Sequence, residues 1–153
     1  VTRIIGLLLL FLAGCAETRT MNEQQAIERV EQLIRDTVAV VEPRPRLELF
    51  RPSVNQRYCV GATDGGPESR LIVNRRYYLR GIPPARFASI AQRVKRHWEE
   101  QGFLITEVRG LDTGEPDVLA RSRPDDFFLS LSSTEGHVLG IAATSTCVWP
   151  DVR

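Results

Sequence analysis

The sequence predicts an α+β fold: one antiparallel sheet of about five or six strands with two helices packed on one face. Three observations lead there. Residues 26–38 and 87–98 repeat apolar side chains at helical spacing. Residues 71–80 and 126–133 alternate with a period of two, as half-buried strands do. The clusters "TDGGPES", "RGLDTGEPD" and "STEG" supply turn chemistry between strand-like runs.

A chain of 153 residues suggests one domain, and 25% charged with 42% hydrophobic residues is an ordinary globular balance. The net charge of +1 argues against a nucleic-acid binder, which would carry a basic surplus. Lys95 is the only lysine, so the positive charge is nearly all arginine, a bias that fits codon usage in a high-GC genome.

Arg3 supplies a small positive charge ahead of an apolar run, residues 4–12, broken only by Gly6. As a helix that run spans about 14 Å, well short of a bilayer core of roughly 30 Å. It is too short to cross a membrane and the right length for an export signal. The run closes with "LAGC". This resembles the bacterial lipoprotein signal, whose lipobox reads Leu, then Ala or Ser, then Gly or Ala, then Cys. The likeness covers residues 1–15, and the last four fit at every position. It implies that Cys15 receives a diacylglyceryl group and becomes the first mature residue, with acyl chains that anchor it firmly. The competing reading is a buried N-terminal helix ending in a chance cysteine. Ala16 follows the cysteine where Asp would favour inner-membrane retention in a host with two membranes. The expected organisation is a signal peptide at 1–14, a lipidated Cys15 with a short tether at 15–22, and one α+β domain at 23–153. The expected address is the extracytoplasmic face of the cell membrane.

With Cys15 assigned to lipid, Cys59 and Cys147 remain as a pair. An oxidising compartment favours a bridge between them. The alternative is two buried free thiols. No zinc or other cofactor is expected, because there is no Cys-x-x-Cys and only His97 and His137 could serve as imidazole ligands.

The elements follow in order. Thr20 and Glu23 have capping-box spacing before the first helix, whose apolar face carries Ala26, Ile27, Val30, Leu33, Ile34 and Val38. "EPRPR" is an extended linker, since each Pro disfavours helix in the residue before it. Residues 47–50 read as a short edge strand, and 57–62 and 71–80 as a hairpin. Pro83 and Pro84 suit the opening of a second helix with Phe87, Ile90, Ala91, Val94 and Trp98 on one stripe, closed by Gly102. Strands follow at 103–108, 118–121, 126–133 and 137–145. In the last, Gly140, Ala142 and Ala143 suggest close packing against a helix.

From about Tyr58 onward the chain is also similar to small actinobacterial lipoproteins of unknown function. "YYLRGI", "HWEEQGF", "DDFFLSLS" and "STCVWP" carry that likeness. It implies the same architecture and address, and no activity.

Few groups suggest catalysis. His97 lies near Glu99 and Glu100, but it reads more simply as a surface histidine at a helix C-terminus. His137 stands beside a glycine-containing turn. Asp125 and Asp126 could pair as carboxylates, yet after Pro124 they fit a turn. No nucleophile, base and orienting group can be assembled, so an enzyme is not expected. The binding candidate is "NRRYYLRG", which puts Arg76, Tyr78 and Arg80 on one strand face. Arg and Tyr are enriched where surfaces bind. The expectation is a non-enzymatic, membrane-anchored envelope module whose face meets an envelope protein, a glycan or an anionic lipid. The alternative is a small-ligand carrier with a pocket between helices and sheet. Cys15→Ser should release the protein from membranes or leave its signal uncleaved. Unchanged processing and membrane fractionation of that variant would contradict the anchor.

Overall fold

The computed structural model describes residues 21–55, 57–59, 70–134 and 138–151. The expected signal segment with Cys15, Thr20, His137 and the whole "TDGGPES" turn therefore lie outside the described residues. The architecture is α+β: two helices, a six-stranded antiparallel sheet and a separate two-stranded one.

Helix α1, Glu23–Val38, starts two residues later than the expected cap. Asn22 Oδ1 accepts the Gln25 N–H (2.9 Å) while the Gln25 side chain accepts the Asn22 N–H (3.1 Å). This reciprocal pair satisfies donors that every helix start leaves orphaned. The helix buries Ala26, Val30, Leu33, Ile34 and Thr37. Helix α2, Phe87–Glu100, follows a 3-10 turn at Pro84–Arg86 and buries Phe87, Ile90, Ala91, Val94 and Trp98, the stripe its periodicity predicts. Gly102, at φ +75°, sits just past its end in the left-handed conformation that a side chain would strain.

The strands are β1 (Arg46–Leu49), β2 (Arg57–Tyr58), β3 (Leu71–Ile72), β4 (Asn74–Arg80), β5 (Leu104–Arg109), β6 (Asp117–Arg121), β7 (Phe128–Thr134) and β8 (Val138–Thr144). The large sheet runs β1-β4-β8-β7-β6-β5, and β2 pairs only with β3. The single strand expected over 71–80 is thus two. The break is at Val73, whose N–H goes to Ser145 Oγ (2.9 Å) and whose carbonyl accepts the Ser145 N–H (2.8 Å). Buried Ser145 ends the strand's first set of partners there.

Both helices pack on the side of the large sheet that presents Leu79, Val118, Ala120, Leu129, Leu131, Leu139 and Ile141, all buried. Trp98 fills the centre, with no exposed surface. Its indole N–H donates to Thr37 Oγ1 (2.9 Å), and the Thr37 hydroxyl donates to the Leu33 carbonyl (2.8 Å). The buried polar tip of a Trp needs such a partner, and this chain ties α2 to α1.

The C-terminal segment closes the domain at its start. Val148 exchanges two backbone hydrogen bonds with Leu71, while Trp149 donates to the Met21 carbonyl and accepts from the Glu23 N–H. Cys59 and Cys147 are bonded, with Cα atoms 6.2 Å apart and a sequence separation of 88. Closing a loop of that length stabilises by about 4–5 kcal/mol in the chain-entropy model, less native strain. Peptide mapping of unreduced protein should find these two cysteines linked, and reduction should lower the melting temperature. Two alkylatable thiols without reductant would contradict the bridge.

Candidate functional site

Antiparallel pairing decides where the strand side chains point, because opposed residues share a face. In β4, Tyr77 and Leu79 belong to the helix side: the Tyr77 hydroxyl donates to Glu31 on α1 (3.0 Å) and Leu79 is buried. Burial and that hydrogen bond raise the Tyr77 pKa. Asn74, Arg76, Tyr78 and Arg80 therefore occupy the opposite face, which neither α1 nor α2 covers.

Across that face Arg76 opposes Ala142, then Ser130, then Leu119, and Tyr78 opposes Gly140, then Ser132, then Asp117. The middle of the uncovered face is a floor of small residues. This corrects the expectation that Gly140 and Ala142 pack against a helix: only Ala143 does, because alternate residues of a strand face opposite ways. A Cβ on Gly140 would lie 3.7 Å from both Nε and Nη2 of Arg76, so the guanidinium rests over this glycine.

The three candidate residues come together on one face but are not equivalent. Arg80 forms a two-pronged pair with Glu48 of β1, Nε to Oε2 and Nη2 to Oε1, both 2.9 Å. That hydrogen bonding holds the Glu48 carboxyl below its usual range and raises Arg80. Arg80 also lies 5.0 Å from the centre of the Tyr78 ring. Tyr78 in turn meets Phe50 edge-on, at 5.8 Å between ring centres and 72° between planes. Arg76 differs: among the described residues its guanidinium has no carboxylate partner. It stands 6.0 Å from the Phe50 ring centre, and its buried Nε has no acceptor. Two residues along the same face, Asn74 Oδ1 is buried without a donor.

Phe50 is the member that sequence reasoning missed. It was expected to end the edge strand. Instead its N–H donates to the Arg76 carbonyl (2.9 Å), and the 3-10 turn Arg51–Val54 folds back on β4. Ser53 Oγ donates to the Phe50 carbonyl (2.7 Å) and accepts the Arg76 N–H (3.0 Å). The available signal was Pro52 followed by Ser53, turn chemistry directly after the strand.

The catalytic suggestions separate. Asp125 and Asp126 do not share a site. Asp125 accepts from Ser122 Oγ and from Arg29 on α1, while Asp126, in the left-handed conformation at φ 57°, pairs with Arg123. Together they build the β6–β7 turn and clamp it to α1. His97 lines a polar cleft of about 180 Å³ with Arg29, Asp36, Gln101 and Arg123. Glu99 is drawn to Lys95 (2.6 Å), one turn back on the helix. Between the helices and the sheet, Trp98, Phe87, Phe127 and Ile141 are all within 1% of full burial. An apolar cleft of about 380 Å³ opens instead at the rim, between Arg35 and Val38 of α1 and Leu47 of β1.

No family model matches the chain, and no curated protein or solved structure matches it significantly. The residues themselves carry the functional reading.

Asp125 gives a test of the clamp. Burial pushes its carboxyl up, but the hydrogen bonds from Arg29 and Ser122 outweigh this and leave it below its ordinary value of 3.8. A depressed folded pKa adds stability that is full above the unfolded value and disappears as pH falls through the folded one. Asp125→Asn should lower stability near neutral pH by roughly 1–3 kcal/mol. It should also flatten the loss of stability below about pH 4, read by denaturant melts across pH. An acid limb identical to the wild type would show that the clamp contributes nothing.

Proposed function

We propose that this protein is a lipid-anchored cell-envelope lipoprotein and a non-enzymatic binding module, whose uncovered sheet face takes a carboxylate or phosphate group of an extracytoplasmic partner at Arg76. The observation that carries this reading is the contrast between two arginines on one strand. Arg80 has its counter-charge in Glu48; Arg76 has none among the described residues, where its Nε and the neighbouring Asn74 Oδ1 are buried without partners. An unsatisfied buried donor or acceptor costs about 1–3 kcal/mol, a cost that a ligand completing the bonds would remove. A guanidinium is suited to the planar, two-pronged recognition of carboxylate or phosphate. Phe50 and Tyr78 beside it offer rigid aromatic area, and the Gly140, Ala142, Ser130 and Ser132 floor leaves room above the sheet.

Two features support the address. The lipobox ends at Cys15, and the Cys59–Cys147 bridge belongs to compartments outside the reducing cytosol. A carrier with its pocket between helices and sheet is the weaker reading, because that layer is filled by large buried side chains.

Cross-linking and pull-down from native membranes identifies the partner, and variants then test the face. Arg76→Ser should weaken capture by more than about 1 kcal/mol, at least five-fold, without lowering the thermal melt, since it removes the unsatisfied Nε. Arg80→Ser should weaken it less, since Arg80 is already engaged by Glu48. Undiminished capture by the Arg76 variant would sink the proposal.

A further inference from the structure

We infer that the end of the domain carrying Tyr58 and Trp149 lies against the lipid surface. This rests on the reading of Cys15 as the lipidated anchor, and it assigns a second, separate surface to the protein.

Four chain segments stand side by side at this end. Tyr58 of β2 opposes Leu71 of β3, Leu71 bridges to Val148, and Trp149 bridges to Asn22. At about 4.8 Å per neighbour, the row is only about 14 Å wide. Val54 belongs to the same end, since it lines a small cleft with Glu23 and Ile27 of α1 and Ile72 of β3. Tyr58 is 60% exposed, and Trp149 and Val54 are 39% exposed each. Among the described residues the two aromatic members of the exposed large apolar set are thus at one end of the domain, on opposite sides of the row: Tyr58 shares the side of Leu71 and Val148, and Trp149, next to Val148, has the other. The contrast with the other tryptophan is informative. Trp98 is fully buried with its N–H satisfied, whereas Trp149 contributes an exposed ring to the surface. Trp and Tyr, apolar in body and polar at the tip, favour the boundary between acyl chains and water.

The length of the tether makes this more than an exposed patch. Five residues lie between Cys15 and Met21, so six steps of chain reach at most about 20 Å. A domain of this length has a radius of gyration near 14 Å, so it cannot move a full diameter away from its anchor. The Met21 carbonyl accepts the Trp149 N–H (3.2 Å), so Trp149 sits at the very point where the tether enters the fold. Whichever way the domain rolls, this residue stays close to the membrane. Arg51 and Arg57 are exposed at the same end and match anionic headgroups. Of the acidic groups there, Asp151 is turned toward the Gln24 N–H at the start of α1, and Glu23 begins that helix. Trp149, at the tether's entry, is therefore the main contact, and Tyr58 and the arginines at the same end are secondary. Because β3 runs on through Val73 into β4, Arg76 stands only about 13 Å further along the strand from Ile72. The binding face begins near the membrane and extends away from it.

The test uses the full-length processed protein in vesicles of phosphatidylethanolamine and phosphatidylglycerol doped with a photoreactive diazirine phospholipid. Flotation reads the anchor, and mass spectrometry of the illuminated protein reads the contact. Label should concentrate on the peptides holding Tyr58 and Trp149, several-fold above the peptide holding Leu104, an apolar side chain that is 51% exposed on the far edge strand β5. A chain that floats with equal label on Leu104, or with none on Tyr58 and Trp149, overturns the membrane contact and leaves the anchor intact. A chain that stays with the soluble fraction overturns both.

Discussion

A sheet has two faces, and in this domain both helices are committed to one of them. That constraint organises everything else. The helix-side residues of β4, β6, β7 and β8 are almost all buried, and the core they form takes up both α1 and α2, so neither covers the opposite side. Apolar burial drives this arrangement, and polar links among the described residues add to it: Trp98 to Thr37, Tyr77 and Arg75 to Glu31, and Asp125 to Arg29. Each sits where a helix meets the sheet or the other helix, so each fixes the angle of a helix rather than adding much to the core.

Once one face is uncovered, the charges on it must be answered by water, by each other or by something else. Arg80 and Glu48 answer each other across the β1–β4 pair, and Arg109 is held by Asp117 and Glu107 across β5 and β6. Arg121 places its guanidinium 5.5 Å from the Phe128 ring centre and donates to the Asp126 carbonyl. Arg76 breaks this pattern. The small residues opposite it let the guanidinium lie flat on the sheet, beside aromatic rings brought by a turn from an edge strand. The buried Arg76 Nε is left without an acceptor among the described residues, a cost that burial of a polar group carries.

Local periodicity made much of this legible. The buried stripe of α2 and four of the inward residues of α1, Ala26, Val30, Leu33 and Ile34, follow from helical spacing, while apolar spacing passes over the buried Thr37; period-two alternation puts Tyr77 and Leu79 on one side of β4 and Arg76, Tyr78 and Arg80 on the other. What escaped depends on partners distant in sequence. The break at Val73 exists because Ser145 meets it there, 72 residues away. Arg80 looked equivalent to Arg76 because Glu48 becomes its partner only through the β1–β4 register. Gly140 and Ala142 were assigned to the wrong side of β8 because smallness was read as helix packing, although the alternation of that strand already put them opposite Ala143. Phe50 was hidden by a turn whose direction no pattern of residues encodes.

The difference between the two arginines is the centre of this account, and nitrogen-15 NMR of their Nε–H groups measures it directly. On titration with inorganic phosphate or acetate, the Arg76 signal should shift with ligand while the Arg80 signal, held by Glu48, stays nearly fixed. An Arg76 signal that does not move, or an Arg80 signal that moves as far, would contradict the claim that Arg76, unlike Arg80, has no carboxylate partner among the described residues.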